Sequence, residues 1–173
     1  MGTALMTLVF TSMMIIGMVT LSMSALQGAT TVTDSLKAME ANDGIIRRTD
    51  IAAVPPAHYS GGNIELIIMN EGQTDLSQFS RWDVIAQYPD DGEVRPPVYV
   101  EYTASNPPGS NQWTFEGLYL LNSDPEVFNP DILDPWEQMK IVINLDREID
   151  TYGRITVSTP NGVTSQCSVS RSE

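Results

Sequence analysis

Few side chains in this 173-residue chain have the type and spacing that chemistry requires. His58, the single histidine, stands in Pro55-Pro56-Ala57-His58-Tyr59. No nucleophile-elbow pattern accompanies it, so it reads as a loop or interface residue and not as a general base. Asp90, Asp91 and Glu93 cluster beside Gly92, and Asp124, Glu126, Asp131 and Asp134 form a second acidic run. Clustered carboxylates suit calcium, but neither run has calcium-loop spacing, and both read as solvated turns. Cys167 is the sole cysteine. It excludes a disulfide framework within the chain and reads as a small buried hydrophobe. One Cys and one His cannot furnish a zinc cluster. No catalytic group, metal or cofactor is therefore expected, and the chain does not read as an enzyme. Trp82 and Trp113 open strand-like patterns and should enter a core, whereas Trp136, in Asp-Pro-Trp-Glu, is a candidate interface residue. The 22 acids against nine Lys and Arg give a net charge of -13. Phosphate binding needs cations to displace counterions, so no nucleic-acid partner is expected.

The apolar content is concentrated at the front. No charged side chain occurs from Met1 to Thr33. As a helix, that stretch would run about 50 Å at about 1.5 Å per residue, more than a hydrocarbon core of about 30 Å needs. Its apolar residues point all round a helical wheel, which fits burial in lipid or in a bundle of its own kind. Thr3, Thr7 and Thr11 fall four apart on one stripe. Together with Phe10, Met14, Ile15, Met18, Val19 and Ser22 they make a candidate assembly face, because small hydroxyl residues allow close helix approach. Two readings stand: a plain anchor whose hydroxyls bond back to their own helix, and a helix built to pack against copies of itself. Lys37, Arg47 and Arg48 follow the apolar stretch. Taken literally, the positive-inside rule would put the rest of the chain in the cytoplasm. A short basic leader preceding Met1 and removed on maturation resolves that conflict, and it is the expectation adopted.

Residues 34–48 continue as a polar helix end, with Asn42-Asp43-Gly44 as the expected stop. Pro55-Pro56 and Gly61-Gly62 are expected to bracket a linker or entry turn. From Asn63 the hydrophobic period falls to two. Strands are expected at Ile64–Met69, Trp82–Tyr88, Val98–Thr103, Trp113–Leu121, Met139–Leu145, Arg154–Thr159 and Thr164–Ser170, with a weaker one near Asp50–Val54. Asn70-Glu71-Gly72, Asp90-Asp91-Gly92, Asn106-Pro107-Pro108-Gly109 and Pro160-Asn161-Gly162 supply the turns. Gly117, inside a strand, predicts a bulge or a close backbone contact. The fold expected is α+β: a hydrophobic helix, residues 1–48, then an antiparallel immunoglobulin-like sandwich, residues 49–173.

Two stretches carry a resemblance. Ile64-Glu-Leu-Ile-Ile-Met-Asn-Glu-Gly-Gln-Thr-Asp-Leu-Ser is a strand followed by an Asn-x-Gly-x-Thr turn. Phe128-Asn-Pro-Asp-Ile-Leu-Asp-Pro-Trp-Glu-Gln-Met-Lys-Ile-Val-Ile is similar to an Asn-Pro…Leu-x-Pro-Gly-Glu turn leading into a strand. With the uncharged helix ahead of them, they resemble the archaellum system, whose filament subunits, the archaellins, look like type IV pilins at the N-terminus. Trp136 replaces the Gly of that second pattern, and position 5 is Leu where bacterial pilins carry Glu. The resemblance implies a structural subunit of an extracellular motility filament. Its partners would be copies of itself in a helical array, the membrane before assembly, and the archaellum motor and platform. The archaellum accessory proteins share the layout and imply the alternative: a membrane-anchored sandwich that contacts the surface layer. An unrelated enzyme or carbohydrate-binding domain on an anchor is the third reading.

Overall fold

The computed structural model describes residues 2–60, 63–90, 93–94, 96–149 and 152–170; side chains at 55–60, 90, 93 and 94 are outside the description. The chain divides into two units, Met1–Gly44 and Ile45–Glu173.

Among the described residues one α-helix, α1, runs from Gly2 to Arg48 with none of its side chains buried, and a single 3-10 turn spans Phe79–Arg81. α1 passes through the expected stop at Gly44 and closes four residues later. Ile45–Arg48 belong to the second unit, where other donors meet the last carbonyls. Thr49 bonds back through its backbone N–H to Ile45 O (3.0 Å) and through its hydroxyl to the same oxygen (2.9 Å). Gln73 N–H donates to Arg48 O at 2.7 Å, and Asn161 Nδ2 donates to Thr49 Oγ1 at 2.8 Å. With its terminal carbonyls so satisfied, the helix needs no left-handed glycine cap. Keeping Gly44 helical costs about 1 kcal/mol relative to Ala.

Ten strands follow among the described residues: β1 (Ile51–Ser60), β2 (Asn63–Asn70), β3 (Asp83–Gln87), β4 (Pro89–Asp90), β5 (Glu93–Val94), β6 (Val98–Tyr102), β7 (Gln112–Tyr119), β8 (Gln138–Asn144), β9 (Tyr152–Ser158) and β10 (Thr164–Ser170). β4 and β5 pair with each other. The other eight form a closed sheet in the order β1-β10-β9-β3-β6-β7-β8-β2. The α+β class and the sandwich of alternating strands are as expected, with one correction. The sheet is mixed, because β1 pairs parallel with β10 and β6 parallel with β7. Period-two alternation reports which face a residue occupies and carries no information on strand polarity.

The inward positions alternate as that period requires: Ile64, Leu66 and Ile68 from β2, Met139, Ile141 and Ile143 from β8, Val84 and Ala86 from β3, Ile155 and Val157 from β9. Trp82 and Trp113 fill the space between these rows and are fully buried, as expected. Two register shifts bend the sheet. One lies between Phe115 and Gly117, the bulge that Gly117 predicts. The other lies between Val54 and His58. Pro55 and Pro56 thus interrupt β1 at a bulge, where a missing N–H is tolerated, and do not form the expected linker. Gly61-Gly62 and Asp91-Gly92 lie outside the described residues.

Candidate anchor and docking surface

In α1 the hydroxyls bond to their own helix. Thr7 Oγ1 donates to Thr3 O at 2.7 Å, Thr11 Oγ1 to Thr7 O at 2.9 Å, and Thr20 Oγ1 to Gly17 O at 2.9 Å. Such back-bonding hides the polar atom and turns the methyl outward. At about 100° per residue, Thr3, Thr7, Phe10, Thr11, Met14, Ile15, Met18, Val19 and Ser22 share one half of the helix surface. Phe10, Met14, Ile15, Met18 and Val19 are all exposed. The opposite half, including Leu5, Met6, Val9, Met13 and Ile16, is exposed and apolar as well. The helix is therefore long and apolar enough to cross a membrane, by length and composition.

In the β unit, one side chain ties together the two stretches singled out in the sequence. Asn70, fully buried at the end of β2, donates through Nδ2 to Thr74 O (2.9 Å) and Leu133 O (3.0 Å) and accepts from Gly72 N–H through Oδ1 (3.1 Å). Its backbone accepts from Trp136 N–H at 2.7 Å and donates to Glu137 O at 3.0 Å. Leu76 and Leu133 exchange backbone hydrogen bonds at 3.1 and 2.7 Å. Gly72 lies against the start of the unit: a Cβ there would meet Asp50 N at 2.5 Å and Arg48 O at 2.6 Å. The Asn-x-Gly-x-Thr turn is thus a clamp on the connection between β7 and β8, residues 120–137.

That connection carries Leu121, Val127, Phe128 and Trp136, all exposed; Phe128 is 88% and Trp136 58% accessible. Trp136 adopts a positive φ of 71°, which costs a bulky residue conformational strain. Phe128 is the residue that sequence reasoning placed only inside a motif. Its signal is an apolar pair, Val127-Phe128, between Pro125 and Pro130, where no strand alternation accounts for it. Both aromatics flank a carboxyl pair. Glu126 Oε1 accepts from Phe128 N–H (2.6 Å) and Asn129 N–H (3.2 Å), and buried Glu137 accepts from Asp134 N–H (3.0 Å) through Oε2. The two carboxyls are close enough to influence each other's ionisation. Burial, with the neighbouring Glu126 and Asp134 charges, pushes Glu137 up. The Phe128 N–H, with help from Asn129, Glu137 and Val127, pulls Glu126 down.

Cys167 is buried. Asp124 accepts from Asn122 Nδ2 at 2.7 Å in an exposed turn. Among the described residues, no three His, Cys, Asp or Glu side chains are grouped to hold a metal ion. His58 lies in β1 opposite Glu65 by backbone register, and its side chain is outside the description. On the outer face of β8, Lys140 Nζ bridges Glu65 (3.0 Å) and Glu116 (3.1 Å). The Glu65 bond is foremost in raising the Lys140 pKa.

No family model and no curated protein sequence matches the chain. Among solved structures it is similar to the archaellum periplasmic stator protein FlaG from Sulfolobus acidocaldarius, with 21% identity and a TM-score of 0.49 over 69% of this chain and 98% of that one. A chain of the archaellum periplasmic stator protein complex of FlaF and FlaG, from the same organism, matches with 21% identity and a TM-score of 0.50 over 68% of this chain and 86% of that one. The likeness to the complex establishes a shared fold over the matched part of the chain.

Proposed function

We propose that this chain is a membrane-anchored accessory component of an archaellum-type machine, holding its β unit outside the membrane against another protein of the cell envelope. The observation that carries the reading is a pairing: a fold shared with a chain of the FlaF–FlaG stator complex, joined to an apolar helix of 47 residues. The archaellum-like motifs of the sequence add support, since they meet at Asn70 and together brace the exposed aromatics of the 120–137 connection. This reading displaces the filament subunit as the first choice, because the solved likeness is to a stator component. The filament alternative keeps one observation in its favour: the helix outruns a bilayer and offers apolar surface on every side.

Shearing and fractionation of producing cells separate the two. The anchored component stays in the membrane fraction, is released only by detergent, and cross-links through Phe128 or Trp136 to a different envelope protein. Recovery of the chain as the repeating subunit of sheared filaments overturns the proposal.

A further inference from the structure

We infer that the outer face of β3, β9 and β10 carries a binding site for an acidic sugar, a hexuronate residue of a glycan. The inference concerns the β unit alone and stands apart from the archaellum reading.

Three polar side chains lie in one row across this face. Arg154 of β9 is the register partner of Gln87 on β3 and of Ser168 on β10. Directly opposed residues on one sheet face have Cβ atoms about 5 Å apart, so a guanidinium, a carboxamide and a hydroxyl stand side by side. Two residues earlier on the same strand, and hence on the same face, Tyr152 is 67% accessible. These side chains, with Tyr88 and Pro89, line a cleft of about 260 Å³. That volume admits one six-membered sugar ring.

Arg154 is the distinctive member. In an acidic protein its peers are occupied: Lys140 bridges two glutamates, Arg81 donates to Gln78 Oε1, and Arg48 and Arg147 are engaged as well. Among the described residues of the β unit, Arg154 is the one cation without a hydrogen-bond or ion-pair partner. A guanidinium presents a planar fork that matches a carboxylate with two parallel hydrogen bonds. Gln87 and Ser168 add donors and acceptors for ring hydroxyls. Tyr152 offers an aromatic face for the apolar C–H face of a pyranose. A neutral sugar would leave the guanidinium unanswered, and a bare carboxylate would leave the tyrosine unused. The net charge of -13 repels anions at long range, so a single residue binds in the millimolar range and a polyuronate gains by multivalency.

The test is ligand-observed NMR on the full chain in detergent, titrated with galacturonate, galactose and acetate. Galacturonate should bind at least about tenfold more tightly than either comparator, reflecting the charge-assisted fork and the ring contact together. Arg154→Gln should weaken galacturonate by about tenfold or more, and Arg154→Lys by less, because charge survives and the fork does not. Tyr152→Ala should weaken galacturonate and leave acetate unchanged. Both side chains are exposed, and a circular-dichroism melt matching that of the parent confirms that each variant is folded. Equal affinity for acetate and galacturonate, equal affinity for galactose, or indifference to Arg154→Gln overturns the inference.

Discussion

At the residue scale, two positions decide whether the β unit holds together. Asn70 bonds to three backbone groups of the clamp, two of which, Leu133 O and Gly72 N–H, also pair with Leu76 N–H and Asp50 O. Each lost hydrogen bond is worth about 1 kcal/mol and a buried group left unpaired costs about 1–3 kcal/mol, so Asn70→Ala should lower unfolding stability by roughly 2 kcal/mol, read by chemical denaturation. Gly72→Ala should cost about as much for a different reason, since the atoms that a Cβ would strike are backbone and cannot swing away. The carboxyl pair gives a prediction with a sign. Glu137 is raised in the fold, so its contribution to stability is complete below the ordinary glutamate value of 4.5 and is lost as pH rises through its folded value. Glu126 is lowered and contributes in the opposite sense, losing its share only as pH falls through its folded value. Glu137→Gln keeps an acceptor for Asp134 N–H and a permanent donor toward Glu126. At pH 7 it should raise Tm by roughly 2–4 °C, and the gain should vanish in acid. A variant that melts lower than the parent at pH 7 would overturn the raised Glu137 as the source of the cost.

At the scale of elements, α1 is one continuous helix that serves two units. Its last turn, Ile45–Arg48, belongs with the β unit, where Arg48 O receives the Gln73 N–H and Thr49 the Asn161 amide. A fragment of residues 45–173 should therefore melt above one of residues 49–173, although both contain every strand. Equal melting points would mean that the helix turn caps nothing. Further forward, Ile15 lies mid-way along the uncharged stretch. A central Asp costs about 2.5–3.5 kcal/mol in insertion, so Ile15→Asp should move the chain from the membrane to the soluble fraction in a carbonate wash. The 120–137 connection is the element whose purpose was least visible beforehand. Its acids read as solvated turns, and only the fold shows Glu126 and Glu137 meeting across eleven residues of chain to brace Phe128 and Trp136.

At the scale of the molecule, the fold was largely legible because its two signals are local. An uncharged run announces α1, and alternation announces β2, β3, β6, β7, β8, β9 and β10, with Trp82 and Trp113 correctly placed inside. What escaped is non-local. The parallel pairings of β1 with β10 and of β6 with β7 join segments whose own periodicity says nothing about a neighbour's direction. The same holds for the row Gln87–Arg154–Ser168, drawn from three strands and from no sequence motif. Gly44 misled because a helix stop is a local rule, and here the donors at Gln73 and Asn161 are supplied from far along the chain.

The placement of β1 sets how the unit answers a pull. β1 is the strand that follows the helix, and it is hydrogen-bonded on both sides, antiparallel to β2 along seven residue pairs and parallel to β10. Consider a force applied at Ile51 along the strand axis and resisted by the rest of the barrel. It therefore loads the ladder with β2 in shear, many bonds at once, instead of peeling them one by one. The strand that follows the helix is thus arranged to bear tension along its own axis.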